Sequence, residues 1–303
     1  MAQARTIALL GTGIMGSHMA RRLAQAGFAT TGWNRDRAKA ETLTQFGVRI
    51  ADTPSAACET ADVVIVMLSN GPVVEKVLFT PDASGCVPAE AMRKGSAIIV
   101  MSSIPVETCQ TQAARCAAHG VGYIDAPVSG GEPGARDGTL AIMAGGDAAL
   151  VEKLADVFAA MGRVTCIGPV GTGQMTKLAN QIIVGATMAA VAEAMHFATQ
   201  GGADPTALRK ALMGGFADSK ILDIHGQRMV ERNFAPGGPA EYELKDLRTA
   251  QAWATKNGLS FTLLDCVEGM FASLVERFGT GLDVAAMLQE VERRAGGKAK
   301  DKS

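Results

Sequence analysis

Two stretches of the chain hold residues whose types and spacing could do chemistry. In "TIALLGTGIMGSHMARRL" glycines stand at Gly11, Gly13 and Gly16, directly after a β-prone run and directly before a helical one. In that context the first glycine makes a tight turn, the second lets backbone approach a pyrophosphate, and the third lets helix pack on strand. The loop Gly11, Thr12, Gly13, Ile14, Met15 and Gly16 is therefore read as a dinucleotide cradle, with a helix N-terminus facing the phosphates. The second stretch, "GTGQMTKLANQIIVG", sets one charge, Lys177, near the start of an otherwise apolar, small-residue helix. Lys177, Asn180 and Gln181 fall at i, i+3 and i+4, which is one helical face. When a hydride adds to a carbonyl carbon, charge develops on the oxygen. A positioned ammonium can stabilise that charge and donate the proton; deprotonated, the same amine is a base for the reverse oxidation. Apolar surroundings favour the neutral amine such a role needs.

Three further stretches bear on ligands. The dinucleotide type is decided about 20 residues past the glycine loop, where an acid would take a ribose 2′-hydroxyl. Here the chain reads Thr31-Gly32-Trp33-Asn34-Arg35-Asp36-Arg37, so neutral Asn34 and then Arg35 stand where the acid is expected. A 2′-phosphate would meet an amide and a guanidinium fork there, and NADP(H) is expected over NAD(H). Asp36 is the competing reading, since a shift of one residue makes it the ribose ligand; Arg37 and Lys39 read equally as solvated surface. Ser129, Gly130 and Gly131 follow the run "YIDAPV". Bare glycine amides beside a hydroxyl make a cradle for a carboxylate, and equally a tight turn. Glu132 and Arg136 beyond them could touch substrate, though a loop acid and base are commonly just solvated, and Lys245 beside Asp246 reads as a solvated group on the residues alone. The histidines His18, His119, His196 and His225 are poor rivals to Lys177, being placed as surface or packing residues.

These groups need a scaffold. Strands are expected at Thr6–Leu10, Ala29–Trp33, Val63–Leu68, Ala97–Met101, Val121–Asp125, Leu140–Ala144 and Val164–Ile167. Between them Met15–Ala26, Arg37–Phe46, Val106–Ala118 and Ala148–Met161 carry helical spacing, closed by Gly27, Gly47, Gly120 and Gly162. Such alternation predicts an α/β domain of the Rossmann type with a largely parallel sheet over residues 1–168. Past "IGPVGTG" the pattern turns helical, with helices expected at Met175–Ala198 and over 204–214, 218–232, 243–257, 260–278 and 283–294. A second, all-α domain over 169–303 follows, joined by a long interdomain helix and ending in a disordered tail from 293. The Met175–Ala198 helix, apolar on most sides, is expected to be buried against other helices or a second subunit, with Met175, Met188 and Met195 as core.

Composition agrees. At 303 residues two domains are expected. Hydrophobic residues make up 48% and charged residues 19%, with net charge −1. That balance gives no reason to expect a nucleic-acid partner. Six scattered cysteines without a C-x-x-C pair or clustered histidines argue against a metal site. The N-terminal apolar run enters the glycine turn rather than a cleavage region, and no segment is expected to span a membrane, so a cytoplasmic chain is expected.

Taken in order, "LLGTGIMGSHMA", "DAPVSGGEPGARDGTLAIMAGG", "GTGQMTKLANQ" and "ELKDL" resemble the β-hydroxyacid dehydrogenase family over residues 5 to 295. The resemblance implies a catalytic lysine at Lys177, a substrate-binding Ser129-Gly130-Gly131, and a second lysine at Lys245 touching substrate and cofactor. It also implies cofactor contacts from Leu68, Ser69 and Ser103. Family members commonly carry Asn at i+4 from the lysine; here Gln181 stands there and Asn180 one place earlier, so either amide could hold the substrate. Within the family the motifs look most like those of tartronate semialdehyde (2-hydroxy-3-oxopropionate) reductases. The resemblance therefore implies reduction of tartronate semialdehyde to glycerate, with 3-hydroxyisobutyrate, glyoxylate or succinic semialdehyde as alternative substrates. It also implies a homodimer or homotetramer. Related chains without the lysine are imine reductases or non-catalytic binding modules, and the presence of Lys177 argues against both.

Overall fold

A computed structural model of the chain describes residues 5–296. The chain divides into two compact units, Met1–Lys177 and Leu178–Ser303. The first half of unit 1 runs β1 (Thr6–Leu10), α1 (Ile14–Gln25), β2 (Ala29–Trp33), α2 (Arg37–Glu41), β3 (Arg49–Ile50), α3 (Pro54–Cys58), β4 (Val63–Val66) and α4 (Gly71–Phe79). It continues with β5 (Ala97–Val100), α5 (Val106–Ala118), β6 (Gly122–Asp125), β7 (Val128–Ser129), α6 (Gly131–Asp137), β8 (Leu140–Gly145), α7 (Ala148–Lys153), α8 (Ala155–Ala159) and β9 (Gly162–Gly168).

The strands form one sheet in the order β3-β2-β1-β4-β5-β6-β8-β7, with β9 on β8. Pairings through β6 are parallel, β8 runs antiparallel to β6 and β7, and β9 is parallel to β8. The sheet is buried on both faces, and its central strands β4 and β5 are apolar and buried at every position. In β1, Ile7 and Leu9 join one core with Met19 and Leu23 of α1 and Val157 and Phe158. Ala8 and Leu10 join the other with Val74 and Leu78 of α4 and Cys109 and Cys116 of α5. Side chains that alternate across a strand thus feed two cores, and continuous runs such as "VVIV" are what a doubly covered parallel sheet requires.

Several expectations about the elements change. Strands β3 and β7, two residues each, were not expected. Ala148–Met161 breaks at Leu154 into α7 and α8, and Arg37–Phe46 into α2 and a 3-10 turn at Thr44–Phe46. Gly162 does not close a helix but opens β9, where a Cβ would stand 2.1 Å from the Leu140 carbonyl oxygen. Its lack of a side chain serves a close strand approach rather than a helix end.

Helix α9 (Thr172–Gln200) runs for 29 residues, and the boundary between the units falls inside it, later than residue 168. Unit 2 continues with α10 (Pro205–Leu212), α11 (Lys220–Val230), α12 (Ala240–Lys256), α13 (Thr262–Phe278) and α14 (Met287–Arg294), and among its described residues there is no strand. Asp204 and Ser219 cap α10 and α11 by accepting from the Ala207 and Leu222 amides at 2.8 and 3.0 Å. Of the tail expected from residue 293, Arg293 and Arg294 instead close α14, and residues 297–303 lie outside the described residues.

Helix α9 is covered in part within the single chain: Met188 and Met195 are core and Met175 is half-buried, while Ile183 and Phe197 are 67% and 82% exposed. Contrary to the expectation that no segment could span a membrane, α9 is long and apolar enough to do so by length and composition. Its polar residues nevertheless find partners inside the protein: Gln174 in unit 1, and Gln181 among carboxylates in unit 2.

Candidate active site

Unit 1 gathers its loops at the carboxyl edge of the parallel strands. Strand β1 pairs with β2 on one side and β4 on the other, so the chain winds away in both directions from the end of β1. That reversal is the place where open α/β sheets bind ligands. The Gly11 amide donates to the Trp33 carbonyl at 2.8 Å and that of Met67 to Leu10 at 2.9 Å, which holds the loops after β1, β2 and β4 side by side.

Each glycine of the loop has its own physical reason. Gly11 has φ +103°, and a Cβ there would lie 2.2 Å from the Met67 carbonyl oxygen. A Cβ on Gly16 would lie 1.9 Å from the Gly11 oxygen, so α1 is pressed against the turn. A Cβ on Gly13 would meet nothing within 4 Å. The N-terminus of α1 has no side-chain cap and no acid in its first turn, which leaves its amides for an anion. Thr12 is buried, and its Oγ1 has no hydrogen-bond partner among the described residues. A buried orphan hydroxyl beside free amides and open space fits a phosphate-bearing ligand. Among the sequence-selected residues Ile14 is exposed and Met15 half-buried on the first turn of α1.

At the end of β2, Asn34 is half-buried and Arg35 exposed. Arg37 is held by Glu41 and Asp52, and Lys39 lies 3.7 Å from Asp36. Among the described residues Arg35 has no ion-pair partner. Beyond β4, Leu68 is half-buried and Ser69 exposed. The Leu68 amide donates to Ser102 Oγ at 2.7 Å, tying this loop to the one after β5. Ser102, not singled out in the sequence, is the buried tie, and Ser103 is its half-buried neighbour.

Helix α9 starts against the same edge. Asp125, the last residue of β6, is fully buried; its Oδ1 accepts from the Gly171 amide at 2.7 Å and its Oδ2 from Gln174 at 2.8 Å. The Gln174 side chain donates to the Ser102 carbonyl at 2.8 Å and accepts from the Ile104 amide at 3.1 Å. Burial pushes the Asp125 carboxyl up to about 6, against the backbone amides of Gly171, Gln174, Asp125 itself and Gly173 that pull it down. A Cβ on Gly173 would sit 2.4 Å from the Met143 carbonyl oxygen, so the "GTG" run exists to let the helix end meet the sheet. Lys177, half-buried, follows one turn after Gln174 on this clamped segment.

Ser129 ends β7, opposite Ala141 of β8, and Gly130 and Gly131 turn the chain into α6 with φ +133° and +60°. Both glycines are exposed and Ser129 is half-buried. Helix α6 packs on α1, where His18 Nε2 stands 3.2 Å from Glu132 Oε1. His18 and Glu132 are thus not independent solvated groups; they join the dinucleotide helix to the Ser-Gly-Gly turn.

In unit 2 the amide on α9 meets α12. Gln181 Nε2 donates to Glu243 Oε2 at 2.6 Å and to Asp246 Oδ2 at 3.1 Å, and Asn180 Nδ2 donates to Gln181 Oε1 at 2.7 Å. Two carboxylates facing one amide require its nitrogen to point at them. Lys245 Nζ is 2.8 Å from Asp246 Oδ1. Since Gln181, Glu243 and Asp246 are all buried, "ELKDL" is not a solvated face. A pair of acids at i and i+3 in a helical run was the signal that could have found it. His225, expected without an acid, faces buried Asp283 at 3.2 Å. Among the described residues no group of His, Cys, Asp or Glu could hold a metal ion.

Known proteins carry the same organisation. The family described as the NAD binding domain of 6-phosphogluconate dehydrogenase matches residues 6–171, and that described as the NAD-binding of NADP-dependent 3-hydroxyisobutyrate dehydrogenase matches residues 171–291. The chain is 41% identical to 2-hydroxy-3-oxopropionate reductase of Escherichia coli K12, covering 96% of this chain and 99% of that protein. It is 30% identical to glyoxylate/succinic semialdehyde reductase 1 of Arabidopsis thaliana, over 94% and 98% of the two. The crystal structure of 3-hydroxyisobutyrate dehydrogenase from Salmonella typhimurium superposes with a TM-score of 0.85 at 26% identity, covering 94% of this chain and 99% of that one. With a Rossmann-type unit, a helical second unit and whole-length relatives of this kind, the chain belongs to the β-hydroxyacid dehydrogenase family and is an NAD(P)-dependent oxidoreductase.

Proposed function

We propose that the chain reduces tartronate semialdehyde to glycerate with NADP(H), using Lys177 as general acid. The observation that carries the substrate is the 41% identity, end to end, with a 2-hydroxy-3-oxopropionate reductase. The bound cofactor supplies the hydride. Residues Gly11 to Gly16 hold its pyrophosphate through the α1 amides and the Thr12 hydroxyl, with Leu68, Ser69 and Ser103 lining the same edge. Ser129, Gly130 and Gly131 hold the substrate carboxylate by a hydroxyl and bare amides. Lys177 donates its proton to the carbonyl oxygen as charge builds there. Of the two amides beside it, Asn180 is the one assigned to substrate, because the Gln181 nitrogen is committed to Glu243 and Asp246. Turnover of tartronate, succinic and methylmalonate semialdehydes and glyoxylate, followed at the nicotinamide absorbance, tests the reading. The highest kcat/KM is expected with tartronate semialdehyde, and a tenfold preference for any other would replace it.

NADP(H) is assigned to Arg35, which has no carboxylate to neutralise it, while Asp36 is engaged with Lys39. Arg35→Ala is expected to lower kcat/KM with NADPH at least tenfold and leave NADH within about threefold, since a charge-assisted phosphate contact contributes roughly 1.5–3 kcal/mol. An unchanged NADPH/NADH ratio would return the choice to Asp36.

Self-association is assigned to unit 2, where Ile183, Phe197, Phe216 and Leu263 are exposed. Light scattering after size exclusion is expected to give a dimer or tetramer, and a Phe197→Glu variant that stays at the wild-type mass would remove that face from the interface.

A further inference from the structure

We infer that Asp125 is a positioning residue for Lys177: its ionised carboxylate fixes the first turn of α9 and thereby the place from which the lysine works. This rests on the reading of Lys177 as the proton donor.

Three observations carry it. First, Asp125 is a fully buried acid that closes β6, and its two oxygens are divided between the Gly171 and Gln174 amides, at 2.7 and 2.8 Å. These are among the amides that a helix start leaves without a partner, and the positive end of the helix dipole favours a negative charge there. Second, the approach is too close for a side chain: a Cβ on Gly145 would lie 2.7 Å from Asp125 Oδ1, and one on Gly173 would lie 2.8 Å from Oδ2. Third, Gln174 is fixed to the loop after β5 through Ser102 and Ile104. Lys177 follows Gln174 by three residues, a rise of about 4.5 Å, so the clamp sets both its height and its azimuth on the helix. Misplacing a reacting group by about 1 Å can cost a hundredfold in rate.

The charge state of the clamp matters because only the ionised form accepts at both oxygens with full strength. The titratable groups beside Asp125 are Cys109 on α5 and Tyr123 on its own strand; burial pushes both upward, so they stay neutral through the physiological range. Among the described residues no cationic side chain pairs with Asp125. Its carboxyl, raised to about 6, therefore titrates on the edge of that range.

The sign separates positioning from scaffold. A carboxyl raised in the folded state binds more protons folded than unfolded between about 4 and 6, so its protonation adds to stability as pH falls through that window. Activity is expected to go the other way. A lysine acting as general acid loses reduction on the alkaline side only, so a fall in kcat on the acid side comes from another group.

The test measures kcat for semialdehyde reduction at saturating NADPH from pH 5 to 8, NADPH dissociation constants, and thermal midpoints, for wild type and Asp125→Asn. Wild type is expected to lose kcat below about pH 6 while its midpoint holds between pH 7 and 5. Asp125→Asn is expected to lower kcat tenfold or more, to remove the acid limb, and to keep the NADPH dissociation constant within threefold. A wild-type profile flat to pH 5, an acid limb that persists in the variant, or a kcat loss matched by lost NADPH binding would each overturn the inference. If the variant does not fold, the wild-type profile and midpoint decide alone. Lys177→Ala, run beside it, tells the two failures apart: full activity there removes the lysine reading, whereas an inactive Lys177→Ala with an unaffected Asp125→Asn removes only the clamp.

Discussion

Lys177→Ala is expected to reduce kcat roughly a thousandfold while NADPH binds within about threefold of wild type. The magnitude follows from what is removed. General acid catalysis by a positioned side chain contributes about 10²- to 10⁴-fold, and the ammonium also stabilises the developing alkoxide. Cofactor affinity is expected to survive because the glycine loop, the α1 amides and the Arg35 end of β2 precede α9 and are built by the sheet itself. Lys177→Arg sharpens the point. Arginine keeps the charge, but its guanidinium is always protonated and larger, so it cannot give up the proton; rescue beyond a few per cent is not expected. The measurement is a steady-state kcat in both directions with a fluorescence titration of NADPH. Near-normal kcat in either variant would remove Lys177 from proton transfer. A lost NADPH signal in Lys177→Ala would instead mean that the lysine binds cofactor.

What the sequence made legible followed from short-range rules. Three glycines between a strand and a helix, apolar runs of four or five residues, and helices closed by Gly27, Gly47 and Gly120 with positive φ are local signals, and the sheet, α1 and α5 stand close to where those signals put them. The family resemblance, carried by four ordered motifs, named the family to which the chain belongs, and no element boundary was needed for that. What was hidden depends on partners distant in the chain. In sequence Asp125 is legible only as the last residue of an expected strand, and only the fold brings to it the Gly171 and Gln174 amides, 46 and 49 residues away. Glu243 and Asp246 look like a solvated helical face until Gln181, more than 60 residues earlier, is laid against them. The apolar breadth of α9 is legible for a different reason: composition tells that a face is apolar, whereas which face the chain's own helices cover depends on the number of helices around it, and Ile183 and Phe197 remain outside. Gly162 misled because glycine serves both helix ends and close strand approach, and the two uses leave the same letter.

The glycines at 11, 13 and 16 should separate into two classes by experiment, although the motif names them together. Gly13→Ala is expected to leave the unliganded protein as stable as wild type, since a Cβ there meets nothing within 4 Å and Gly13 has φ −74°, which alanine adopts freely. At a compatible backbone position such a change alters stability by only about 0.4–1 kcal/mol, in the favourable direction. Cofactor binding should fall at least tenfold, because the added methyl fills the space over which a pyrophosphate approaches the backbone. Gly16→Ala should do the reverse in order of cause. Its Cβ would lie 1.9 Å from the Gly11 carbonyl oxygen and 3.2 Å from Leu9 Cδ2, so α1 must move off β1 before any ligand is involved. Overpacking of this kind costs roughly 1–3 kcal/mol or more, about 2–4 °C of thermal midpoint per kcal/mol in a domain of this size. Gly11→Ala adds backbone strain at φ +103° to a 2.2 Å clash with the Met67 oxygen and should be the least stable of the three. Thermal midpoints without ligand, set against NADPH dissociation constants, read both axes at once. Wild-type NADPH affinity in Gly13→Ala would mean that the pyrophosphate does not cross that residue. An undisturbed midpoint in Gly16→Ala would mean that α1 is not held to the turn by contact at that glycine.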